Sequence, residues 1–222
     1  MASVVMRHIS PTRIRSDLYT FSAPPGYYDD DCREASSPPC ILSVVSALVE
    51  RVVVRNERQG DKVGVKLGIF DGRRIPEMSI EQYLGRIFKY AHCSPSVIVV
   101  AYAYIDRFIQ LNSGFLITSL NVHRLLITSV MLAAKFLDDM NYNNAYYAKV
   151  GGLSTQDINN LEIEFLFMLD FRLQVTVSVF ESYCAHFERE VALGGGYQIE
   201  RALRFICAMD KGSSQDDSQK QE

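Results

Sequence analysis

The apolar positions of this chain recur at three- and four-residue steps through most of its length, the period of helices with one buried face. The first run, Ile41, Val44, Val45, Leu48, Val49, Val52 and Val53, predicts a helix. Residues 56–76, NERQGDKVGVKLGIFDGRRIP, hold four glycines and no helical period, and read as a connecting loop. From residue 79 on, the helix starts are legible. SIEQ (79–82) is a capping box, in which the serine oxygen takes one free N–H and the glutamine side chain takes another. In SPSV (94–97), Ser94 stands at the cap and Pro95 at the first helical position, where its missing N–H costs nothing. Thr118 or Ser119 starts the next helix, STQD (154–157) reads as a capping box with aspartate for glutamate, and Thr176 or Ser178 starts a helix running to about Val191. LGGGY (193–197) breaks it, and 198–209 have enough period for a short final helix. The expected fold is all-α: a five-helix bundle over 76–191, a helix and loop before it (40–75) and one helix after it (192–210). Residues 1–39 and 211–222 carry Ser, Pro and charge without period and read as disordered.

The helix faces differ. VIVVAYAYI (97–105) is apolar all round, as befits a buried centre that other helices wrap. Asp106 and Arg107 follow at once, and charges so placed need partners; Arg86 in the preceding helix is one candidate for Asp106. The helix after it shows an inner stripe of Val122, Leu125, Leu126, Ser129, Leu132, Ala133 and Phe136. A second stripe, Arg124, Thr128, Met131 and Lys135, sets a lysine beside apolar surface on a face the core does not need. In the following helix Glu162 shares a stripe with Ile158, Phe165, Leu166 and Leu169. Read from the residues alone, both charged side chains would snorkel to water.

Composition narrows the function classes. The formal net charge is −3, and acidic side chains outnumber basic ones between residues 76 and 190, so nothing calls for a polyanion as main partner. Five cysteines without CxxC or zinc-ligand spacing read as reduced thiols of a soluble, intracellular protein, and no apolar run is long enough to span a membrane. The four histidines (His8, His92, His123, His186) form no HExxH pattern and there is no glycine-rich phosphate loop, so catalysis, a cofactor, a metal and a small-molecule substrate are not expected. His123, near a helix start, reads as a surface residue.

Three segments in order carry a resemblance: AYIDRF (103–108), LAAKFLDD (132–139) and LEIEFLFMLDFRL (161–173). They resemble the cyclin box, where a Y-[IL]-D-R-F helix, an A-[AS]-K-F-acidic helix and an acidic-led L-E-x-x-x-L-x-x-L-x-F helix follow one another. The surrounding residues 78–96 and 119–154 are similar in detail to plant P-type (also called U-type) cyclins, relatives of the fungal cyclins of the phosphate-response pathway. The likeness covers about Ser36 to Met209.

That resemblance implies a regulatory subunit of a cyclin-dependent kinase, without catalysis of its own, working in cell division or nutrient-linked growth control, in the nucleus or cytoplasm. It implies that Lys135 hydrogen-bonds kinase backbone carbonyls with Glu162 close by, holding the kinase's mobile regulatory helix inward so that its glutamate pairs with the ATP-positioning lysine. Asp106 and Arg107 correspond to residues that brace the central helix, and Phe108, Phe136 and Phe171 to core. Arg124 stands where many cyclins have leucine, and either adds a charge contact to the kinase or is solvated. The chain holds one box where mitotic-type cyclins have two, and its first box helix lacks the MRAIL-type substrate-docking sequence. A cyclin-fold adaptor without kinase activation, and a nucleic-acid-binding fold like that of general transcription factors of the TFIIB kind, are the competing readings.

Overall fold

The computed structural model describes residues 39–59, 68–139 and 142–192, and within them the chain forms seven α-helices and no strand. These are α1 (Cys40–Gln59), α2 (Ile80–Ala91), α3 (Pro95–Leu111), α4 (Val122–Leu137), α5 (Asn144–Gly151), α6 (Thr155–Met168) and α7 (Val177–Ala192). The all-α class is the expected one, and the five anticipated box helices are α2, α3, α4, α6 and α7. Helix α5 is an addition: it is short, buries only Tyr147, Ala148 and Val150, and so shows little amphipathic pattern. The expected helix over 198–209, the glycine run and both terminal segments lie outside the described residues.

Local chemistry sets the boundaries. The α2 capping box is complete: the Gln82 N–H donates to Ser79 Oγ at 3.2 Å and the Ser79 N–H to Gln82 Oε1 at 3.3 Å. Pro95 opens α3 as expected, but Ser94 does not cap it and hydrogen-bonds the Asp138 carboxylate instead. At α6 the Asp157 N–H donates to Ser154 Oγ at 3.0 Å, and the same hydroxyl donates to the aspartate at 2.6 Å. Aspartate is one carbon shorter than the usual glutamate, and here it meets the capping hydroxyl rather than the N–H behind it. Helix α4 begins at Val122, later than Thr118 or Ser119, because Asn121 folds the preceding residues into a turn: its Oδ1 accepts from the Thr118 N–H and its Nδ2 donates to the Leu116 carbonyl. Helix α1 runs on to Gln59, past the expected loop start at Asn56, whose buried Nδ2 donates to the Ile117 carbonyl.

Two helices form the centre. In α3, Val97 to Ile105 are buried except for half-buried Tyr102, as the uninterrupted apolar run foretold. Helix α4 packs against α2, α3, α5 and α6, and Thr128 and Met131 are fully buried. The second α4 stripe is therefore not a free face; only its ends, Arg124 and Lys135, reach the surface. The buried hydroxyls are satisfied within the helix, Thr128 Oγ1 donating to the Arg124 carbonyl (2.7 Å) and Ser129 Oγ to that of Leu126 (3.0 Å). Two glycines seat α5 on this centre. A Cβ at Gly151 would meet Ile127 Cγ1 at 3.0 Å and the Tyr83 hydroxyl at 3.1 Å, and Gly152 ends the helix at φ +70°.

Candidate partner-binding site

Lys135 sits in the last turn of α4, where its charge suits the helix dipole. Its ammonium donates to Glu162 Oε1 at 2.7 Å and to Asn144 Oδ1. The other carboxylate oxygen, Oε2, accepts from Asn144 Nδ2 at 2.6 Å, and that amide also donates to Asn159 Oδ1 at 2.8 Å. Three helices thus meet in one polar knot. The side chains of Lys135 and Glu162 are 26% and 17% exposed, so the pair is neither solvated nor sealed. Among the described residues two of the three ammonium donors are spent and one is left over. Asn144 and Asn159 had no role in the sequence reading, and neither had Asn143, whose Oδ1 accepts from the Tyr146 N–H and caps α5.

Exposed apolar side chains lie on the same helices as the knot. Phe136, next to Lys135 in the chain, is 43% exposed, and α6 presents Ile163 (54%), the residue after Glu162, and Phe167 (66%) one turn further on. Phe171, just past α6, is 57% exposed and packs edge-on to Phe167 at 5.3 Å. Phe136 and Phe171 were expected in the core with Phe108, and only Phe108 is there. The cause at Phe171 is the backbone: Asp170 and Phe171 lie at φ 52° and 54°, left-handed conformations that cost an L-residue about 1–2 kcal/mol. That double turn throws the ring outward. It is held from α3, where the Tyr104 hydroxyl donates to the Leu173 carbonyl (2.8 Å), Arg107 to the carbonyls of Arg172 and Gln174, and Asn112 Nδ2 to that of Met168 (3.0 Å).

A family model described as Cyclin matches residues 42–173, more than half of the chain. The chain belongs to the cyclin family. It is 56% identical to Cyclin-U2-1 of Arabidopsis thaliana over 93% of its own length and 90% of that protein's. It is 54% identical to Cyclin-U2-2 of the same plant, over 93% and 88%, and 42% identical to Cyclin-P2-1 of Oryza sativa subsp. japonica, over 93% and 96%. No described helix of this cyclin is long and apolar enough to cross a membrane.

The remaining expected residues of this cyclin scatter around the site. Asp106 meets Tyr183 of α7, whose hydroxyl donates at 2.7 Å, and Gln110 at 2.8 Å. It does not pair with Arg86, whose guanidinium donates to the Lys149 carbonyl at 3.3 Å across α5. Arg124 donates to the Ile69 carbonyl at 3.2 Å and lies about 16 Å along α4 from Lys135, too far to share its contacts. His123 is buried, not on the surface: Nε2 faces the Met78 carbonyl at 2.9 Å, the ring packs edge-on to Tyr83, and Nδ1 has no hydrogen-bond partner among the described residues. Burial holds its pKa below the usual histidine value, against the opposing bond to Met78. Burial likewise pushes the Cys93 thiol up to about 12, which keeps it unreactive.

Proposed function

We propose that this cyclin binds and activates a cyclin-dependent serine/threonine kinase through the Lys135–Glu162–Asn144 knot and the apolar α6 face beside it. The observation that carries the reading is the pairing of a half-desolvated ion pair with exposed Phe136, Ile163, Phe167 and Phe171. Isolated in water, such a face leaves apolar area unburied and the polar knot partly solvated; a partner that covers it gains from the apolar area and replaces the knot's water with hydrogen bonds of its own. The backbone strain that presents Phe171 fits the same purpose, since a strained turn persists where function uses it. The kinase would take the remaining ammonium donor on backbone carbonyls, and the cyclin would shift it toward its active conformation by binding that form more tightly. The implied setting is cell division or nutrient-linked growth, in the nucleus or cytoplasm.

The test is a pull-down with purified candidate cyclin-dependent kinases and a kinase assay, comparing wild type with Lys135→Ala and Glu162→Ala, each shown folded by circular dichroism. Support is one kinase bound and activated by wild type, with about tenfold or greater loss in both variants. Binding of a kinase without activation would instead point to an adaptor, and unchanged binding by both variants would remove the knot from the interface.

A further inference from the structure

Between α2 and α5 lies an open cleft of about 480 Å³, lined by Arg86, Tyr90, Tyr146, Lys149 and Val150. Its walls are fixed. Arg86 is tethered by its bond to the Lys149 carbonyl, and the Tyr146 hydroxyl donates to the Tyr90 carbonyl at 2.8 Å. Tyr146 stacks on Tyr142 with ring centroids 4.0 Å apart, and Lys89 adds its ammonium 5.8 Å from the Tyr90 ring centre. The Tyr83 hydroxyl of α2 donates to the Gly151 carbonyl at 3.0 Å and ties α5 to α2 a second time. Among the described residues neither Arg86 nor Lys149 pairs with a carboxylate. Two cations therefore line one cleft, with Lys89 against the outer side of the Tyr90 ring, and an incoming anion would be attracted by all three.

We propose that this cleft is a docking site for a phosphorylated serine or threonine of a protein partner. A phosphate monoester brings close to two negative charges and three acceptor oxygens, which suits an arginine fork beside two ammonium groups better than a single carboxylate does. The tyrosine walls, one of them Tyr90 at 49% exposure, give the flanking peptide flat apolar surfaces. A nucleic-acid strand fits less well: the cations are confined to one cleft, and the box around them is acidic on balance. The cleft is also separate from the knot. Lys149 and Asn144 sit at opposite ends of α5 and about 140° apart around it, so both surfaces are open at once. That the cleft recruits already phosphorylated substrates to a kinase rests on the function proposed above; phosphopeptide binding itself does not.

The experiment uses the full-length cyclin alone, immobilised, with an oriented peptide library carrying a central phosphoserine or phosphothreonine and randomised flanks. Matched libraries carry serine or glutamate at the centre, and a mixed-sequence single-stranded DNA serves as competitor. The phosphorylated library should be retained about tenfold or more over both matched libraries, and Arg86→Ala should lose that excess. Because Arg86 also ties α2 to α5, Lys149→Glu is the second variant; its side chain is exposed, its backbone carbonyl stays in place, and it should lose the excess as well. Equal retention of the glutamate or serine library, retention by both variants at the wild-type level, or displacement of the peptides by DNA would each overturn the proposal.

Discussion

Replacing Glu162 by alanine separates what the polar knot does for the fold from what it does for a partner. In the free protein the change leaves Lys135 with the Asn144 oxygen and an ammonium that can reach water, because its side chain is 26% exposed. The loss is then that of two hydrogen bonds to the carboxylate, from Lys135 and from Asn144, in a partly screened setting, about 1 kcal/mol of folding stability in all. Under a bound kinase water is excluded, and an ammonium stranded without its carboxylate costs about 3–5 kcal/mol. Binding should therefore weaken by the difference, roughly 2–4 kcal/mol, or about 30- to 1,000-fold in Kd. Urea unfolding followed by circular dichroism gives the first number and titration calorimetry against the kinase the second. The double variant Lys135→Met with Glu162→Leu removes both charges, and should bind better than the sum of the two single losses predicts. The reasoning is refuted if Glu162→Ala destabilises the free protein as much as it weakens the complex, for then the knot holds three helices together and nothing more.

Other expectations follow from single positions. Phe171→Gly relieves a left-handed aromatic residue that is 57% exposed, so the fold should gain about 1 kcal/mol while kinase affinity falls; a loss of stability would show that the ring packs more than its exposure suggests. His123 is held neutral by burial, so the unfolded chain binds its proton first as pH falls. Stability should decline from about pH 6.5 down to the lower folded-state pKa, and His123→Gln should flatten that limb of a urea-midpoint profile. At α6 the Ser154 hydroxyl holds the Asp157 carboxyl below its usual value, an effect present above pH 3.8 and lost as pH falls through the folded-state pKa. Ser154→Ala should cost about 1 kcal/mol at neutral pH and reduce that acid-side slope, both readable from chemical denaturation.

How much of this was written in the sequence follows from the range of the forces involved. Helix starts are local: a serine, its N–H and a glutamine three residues on lie within one turn, so SIEQ specified the start of α2 without help from the rest of the chain. The buried centre was legible for a similar reason, since a helix apolar on every side has no stable place but inside, and Val97 to Ile105 are there. Lys135 and Glu162 stood out as charges on apolar stripes, and the cyclin motifs named them together. Contacts across the fold are different, because their partners come from elements far apart in the chain. No spacing rule links Arg107 to the carbonyls of Arg172 and Gln174, Asp106 to Tyr183, or Arg86 to Lys149, and the guess that Arg86 meets Asp106 failed on that account. Whether an aromatic residue is core or surface is equally a tertiary matter: Phe136 keeps the helical step of an inner stripe, but Phe136 has reached the last turn of α4 and is exposed there. Phe171 is turned out by two left-handed residues that no side-chain pattern announces. Helix α5 shows the same division, its end set by Gly152 and its place by how closely Gly151 lets two backbones approach. The sequence determined where α2, α3 and α6 start and which helix lies at the centre; only the packing decided which charged and aromatic side chains were left at the surface.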